Sequence, residues 1–126
     1  MAQILLIEPD IKLGDIYKQY LETGGHQVEW RTTAQAALTT IDKHRPDLVL
    51  LEIQLSLHNG IEFLYEFRSY KDWHDIPVIV HSQVSPVLKA ISPMLWDQLT
   101  VSKYLYKPIT KLSDLLRSVE ATLVPA

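Results

Sequence analysis

Three stretches of this chain are apolar at every consecutive position: Ile4-Leu5-Leu6-Ile7, Leu48-Val49-Leu50-Leu51 and Val78-Ile79-Val80. Side chains alternate between faces along a strand, so a strand that is apolar throughout has no face to give to water. Such strands sit inside a sheet covered on both sides, typically a parallel sheet roofed by its own crossover helices. The intervening segments supply those helices. Asp10 is an N-cap signal, Pro9 bars an earlier start, and Ile11, Ile16, Tyr17, Tyr20 and Leu21 follow at near-helical spacing until Gly24-Gly25. Thr32 or Thr33 caps a second helix with Ala34, Ala37, Leu38 and Ile41 inward, after a strand around Val28 and Trp30. Residues 48–53 form the central strand. Asn59-Gly60 opens a third helix carrying Ile61, Leu64 and Phe67, with Phe63 a further candidate.

Pro77 opens a fourth strand, and Pro86 suits the first turn of a fourth helix that Pro93 shortens, splits or kinks. Residues 101–106 form the fifth strand. Thr110 or Ser113 begins the last helix, with Leu112, Leu115, Leu116, Val119 and Leu123 inward. The expected fold is therefore α/β: a doubly wound, five-stranded parallel sheet of flavodoxin-like order 2-1-3-4-5, in one domain spanning residues 1–126. Ligand crevices in this arrangement lie at the carboxyl ends of strands 1 and 3, where Glu8 and Glu52 stand.

Composition narrows the function. The 126 residues carry a net charge of −3 without a dense basic run, so this domain is not expected to bind nucleic acid. There is no cysteine, which excludes a thiol nucleophile and a thiolate metal site. No stretch approaches a membrane span and residues 4–7 are too short for a signal core, so a cytoplasmic protein is expected. The five histidines show no metal-ligand spacing. His81 and Ser82 are adjacent, hence on opposite strand faces, and do not suit a base–nucleophile pair.

In order along the chain, Ile7-Glu8-Pro9-Asp10, Asp47-Leu48-Val49-Leu50-Leu51-Glu52, Asn59-Gly60, Val80-His81-Ser82 and Tyr104-Leu105-Tyr106-Lys107-Pro108 resemble the receiver domain of bacterial two-component response regulators. The resemblance covers residues 4 to about 123. It implies a signalling module, not an enzyme, with Glu52 at the phosphoacceptor position, Lys107 and Ser82 as phosphate contacts, and Tyr104 as the switch aromatic. It also implies Mg²⁺ held through Glu8, with Glu52 a weak ligand and Asp10 an alternative, and a Lys107–Pro108 bond that is often cis in the family. The implied partner is a signalling protein, a histidine kinase or an output protein. It would meet the face of helix 4, strand 5 and helix 5, where Leu95, Trp96 and Tyr106 are candidate contacts.

Two departures bear on the chemistry. The family's phosphoacceptor is aspartate, and here it is Glu52; its second metal carboxylate falls on Pro9. Gln83 and Thr100-Val101 replace smaller residues and suggest a rearranged face around the fourth helix. One more methylene displaces the carboxylate by roughly an ångström, a misplacement that can cost about 10²-fold in rate. The longer arm can also reach Lys107. A phosphorylation-independent receiver acting through protein contacts is the expectation. The alternatives are a conventional receiver phosphorylated on Glu52 with Mg²⁺, and a small nucleotide- or flavin-binding protein. Against the last stands Glu8-Pro9-Asp10, where a glycine-rich phosphate loop would be needed.

Overall fold

In the computed structural model, which describes residues 2–55, 59–85 and 93–124, five parallel strands lie in the order β2-β1-β3-β4-β5. The strands are β1 (Gln3–Ile7), β2 (Gln27–Arg31), β3 (Leu48–Leu51), β4 (Val78–Ser82) and β5 (Val101–Tyr106). The helices are α1 (Ile11–Thr23), α2 (Ala34–Lys43), α3 (Gly60–Ser69), α4 (Pro93–Gln98) and α5 (Leu112–Leu123).

The uninterrupted apolar runs behave as their pattern demands. All four β3 residues are buried. Val49 and Leu51 join Leu5, Ile7, Val78 and Val80 on one face, packed by α2 and α3 through Ala37, Ile41, Phe63, Leu64 and Phe67. Leu48 and Leu50 join Ile4, Leu6 and Ile79 on the other, covered by Tyr17 and Leu21 of α1 and by Leu115 and Val119 of α5. Each such side chain contributes about 1.5–3 kcal/mol of transfer free energy.

Local signals set most boundaries. The Asp10, Thr33 and Asn59 side chains accept from the backbone N–H of Leu13, Ala36 and Glu62, capping α1, α2 and α3. After α1, Gly25 takes the left-handed conformation at φ 88°. At the start of α3 a Cβ on Gly60 would lie 2.5 Å from the Ile53 Cα, so only glycine lets the helix start against the β3 loop.

Several expectations need correction. Ile11 and Ile16 are exposed, at 71% and 46%, and the buried face of α1 is Gly14, Tyr17 and Leu21. Trp30 causes this, because its indole occupies the space where a Gly14 Cβ would stand, only 2.1 Å from the ring. Strand β3 stops at Leu51, since the Ile53 carbonyl leaves the ladder to accept from Gly60 N. Helix α5 is preceded by Lys111, not Thr110 or Ser113: Lys111 N donates to Asp114 Oδ2, whereas the Thr110 hydroxyl donates to the Tyr106 carbonyl. The Lys107–Pro108 bond is trans, as are all those described. The described part of α4 begins at Pro93 and is short, running Pro93–Gln98, in line with the expectation; residues 86–92, Pro86 among them, lie outside the described residues.

Candidate functional site

The parallel register carries three strand ends to one edge. Leu51 pairs with Ile7 and with Val80, and the chain beyond β5 returns Lys107 alongside. Glu8 N donates to the Arg31 carbonyl and Glu52 N to the Ile7 carbonyl, fixing both backbones at 3.0 Å. The Trp30 indole N–H donates to the Glu8 carbonyl at 2.9 Å. Both carboxylates are buried: Glu8 is 2% and Glu52 3% exposed.

Lys107 lies between them. Its ammonium donates to Glu8 Oε1 at 2.5 Å and to Glu52 Oε1 at 2.8 Å. Glu52 Oε1 also accepts from Gln83 N at 3.1 Å, and Oε2 accepts from Gln54 N at 2.9 Å. The Ser82 hydroxyl donates to Oε2 as well. A carboxylate offers about four lone-pair directions, so these donors saturate Glu52. Glu8 has a second donor in Asp10 N, at 3.0 Å on Oε2.

The titration behaviour follows from this inequality. Burial pushes the Glu52 pKa up, but the bonds from Lys107, Ser82 and Gln54 outweigh it and leave it below the ordinary carboxylate value. Burial also raises Glu8 and prevails there over its bonds from Lys107 and Asp10. For Lys107, burial lowers the pKa, and the bonds to Glu52 and Glu8 more than reverse it. One ammonium between two buried carboxylates leaves a formal excess of one negative charge. The backbone N–H groups of Gln54, Gln83 and Asp10 offset that excess.

From Glu52 a hydrogen-bonded path leads to the far side of the sheet edge. Ser82 Oγ accepts from Val84 N at 3.0 Å, and the Tyr104 hydroxyl donates to the Val84 carbonyl at 2.6 Å. The Tyr104 ring meets Trp96 of α4 at 5.3 Å between centroids. Gln83, which the sequence marks only as bulkier than usual, ties this loop to the β3 loop through a 2.9 Å bond to Gln54 Oε1. His81 points the other way, edge-on to the Tyr17 ring at 4.9 Å. Leu95, Trp96 and Tyr106 are half-buried, so they do not form an open patch.

The donor set does not fit a divalent cation as arranged. Mg²⁺ takes oxygen ligands with free lone pairs. Those of Glu52 are occupied, Pro9 offers none, and Asp10 Oδ1 caps α1. The lysine ammonium already stands between the two carboxylates. Among the described residues no three His, Cys, Asp or Glu side chains converge on a metal position.

The "Response regulator receiver domain" family profile matches residues 4–120. The chain belongs to that family. "Transcriptional regulatory protein MalR" of Bacillus subtilis is 33% identical over 91 residues, covering 71% of this chain and 39% of that protein. "KDP operon transcriptional regulatory protein KdpE" of Escherichia coli is 29% identical, covering 99% of this chain and 56% of that protein. This receiver chain therefore spans about half or less of the length of those relatives. Among solved structures, a CheY-like response regulator receiver domain protein from Methanospirillum hungatei aligns with a TM-score of 0.86 at 24% identity, over 98% of this chain and 94% of that one. The BeF3-activated receiver domain of Klebsiella pneumoniae RstA aligns at 0.83 and 23% identity, over 98% of this chain and 99% of that one. The architecture is thus the CheY-like flavodoxin fold. No described helix is long and apolar enough to cross a membrane.

Proposed function

We propose that this receiver domain works in two-component signalling without phosphorylation, as a protein-contact module whose site is filled by its own Glu52. The observation that carries the reading is the saturation of the Glu52 carboxylate by Lys107, Gln83, Gln54 and Ser82. Attack on a phosphoryl donor needs a free lone pair in line with the phosphorus and a cation offsetting the phosphoryl charge. Here the lone pairs are spent on donors. Charge-assisted bonds from Lys107 and Ser82 to Glu52 hold the groups that a phosphoryl oxygen would otherwise engage. The path through Ser82 and Val84 to Tyr104 then fixes the ring that packs on α4. The partner, a histidine kinase or an output protein, would read the resulting shape of α4, β5 and α5. Any transcriptional output would come from another domain or a separate protein.

The test is intact-protein mass after incubation with a small-molecule acyl-phosphate and Mg²⁺. The wild type is expected to gain no phosphoryl group, while a folded Pro9→Asp/Glu52→Asp variant is labelled. A wild-type adduct that disappears in Glu52→Gln would overturn the reading. In that case a Glu52 oxygen has bonded to phosphorus as the donor's acyl carboxylate left.

A further inference from the structure

The groove between α2 and α3 lies away from Glu52 and includes none of Glu8, Ser82, Tyr104 or Lys107. It consists of two depressions, of about 680 Å³ and about 430 Å³, which meet at Leu38. Its floor is aromatic. Tyr65 on α3 is 55% exposed, and Tyr70, just beyond α3, is 45% exposed. Tyr70 leans on Trp73 of the 3₁₀ turn Lys71–Trp73 at 4.5 Å between ring centroids, and Trp73 stacks on the buried Phe67 at 5.9 Å. Tyr70 is held from below by Trp73, and both tyrosines present area to water, the condition under which aromatic surface contributes to association.

Charge selects the occupant. Asp42 on α2, Glu66 on α3 and Asp72 on the turn line the two depressions, and Lys71 is the cation among their described lining residues. Arg68 does not neutralise them, because its guanidinium is spent on backbone carbonyls of Trp73, His74, Ile76, Leu99 and Thr100. We infer that this groove docks an amphipathic helix of a partner protein whose apolar stripe is flanked by lysine or arginine. Such a helix places side chains at i, i+3, i+4 and i+7 along the Leu38–Tyr65–Tyr70 floor and its cations against the acidic rims. The open tyrosine faces add cation–π attraction. Nucleic acid and anionic membrane are repelled by the same carboxylates. A second copy of this chain, at net charge −3, would set acid against acid. The docking holds whether or not residue 52 is phosphorylated.

The experiment is an amide-resolved NMR titration of the labelled domain. The probe is a synthetic helical peptide with a leucine stripe between two lysine rows, and the control carries glutamate at the lysine positions. The lysine peptide is expected to shift amides around Leu38, Asp42, Tyr65, Glu66, Tyr70 and Trp73, and to bind more weakly as salt rises above about 0.1 M. Tyr65→Ala and Glu66→Lys, both at exposed positions, should each weaken it about tenfold while the melting curve stays in place. Shifts on another face overturn the inference, as does no binding at about millimolar peptide. So does equal binding of the glutamate peptide, or indifference to both substitutions. Self-association of the free domain through this groove would assign it to a second copy instead and likewise overturn it.

Discussion

One methylene separates Glu52 from an aspartate, and the surrounding donors are placed for the longer arm. Lys107 and Gln83 N meet one oxygen while Gln54 N and Ser82 meet the other. The site's electrostatics extend through the sheet to His81, which is 4% exposed and faces Tyr17. Burial, then the Lys107 charge, pull its pKa from 6.5 down to about 4, against a smaller opposing pull from Glu52. The unfolded imidazole titrates near the upper value and the folded one near the lower. Between them the unfolded chain binds more protons, so stability rises with pH through this window and is lost as pH falls. We expect His81→Phe to remove up to about 1.4 kcal/mol per pH unit of that dependence. Urea unfolding of both proteins at a series of pH values between the two pKa values checks it. Parallel pH profiles would show that His81 is not the titrating group. Glu52, whose pKa is lowered, adds a loss in the same direction as pH falls below the ordinary carboxylate value.

Among the elements, α3 ends in a clamp that no motif announces. Arg68 donates to the Leu99, Trp73, His74, Ile76 and Thr100 carbonyls at 2.8, 3.1, 3.0, 2.7 and 2.9 Å. It joins the turn before β4 to the turn before β5, where Thr100 holds a left-handed φ of 55°. That conformation costs a non-glycine residue on the order of 1 kcal/mol, and Arg68 helps fix it. Arg68→Ala should lower the unfolding free energy by at least about 2 kcal/mol through carbonyls left without a donor. Chemical denaturation would show it, and a change within about 0.5 kcal/mol would mean solvent replaces the clamp. In the sequence, Arg68 is one cation on a helix and carries no signal. The strand runs, the Asp10 and Asn59 caps and the Gly24-Gly25 stop were legible, because each acts within a few residues. The exposure of Ile11 and Ile16 was not, since the rotation of α1 is set by Trp30 from β2 lying on Gly14. The convergence of Glu8, Glu52 and Lys107 was legible, because it follows from the strand order. The bonds from Gln83 N and Gln54 N depend on loop backbone that no spacing rule reaches.

At the scale of the molecule, the receiver architecture is intact while the crevice at its sheet edge is internally neutralised. A dication that bound this edge in the native state alone would raise the melting temperature. At ten times its dissociation constant it would add about 1.4 kcal/mol, or several degrees for a domain of this size. The wild-type melting temperature is expected to move by less than about 1 °C at saturating Mg²⁺, and that of folded Pro9→Asp/Glu52→Asp by several degrees. Differential scanning calorimetry with and without the ion measures both, and an equal upward shift in the two would return the metal to the native site. The Glu52–Lys107 contact also concerns time. An acyl-phosphate is a clock: it is set by a donor, runs down by hydrolysis, and gives a receiver a memory as long as its lifetime. A carboxylate belonging to the chain itself has no such decay and no reset. Under the proposed reading, this domain's message begins when the chain folds and ends when it is degraded, so the cell would adjust the signal through how much of the protein it keeps.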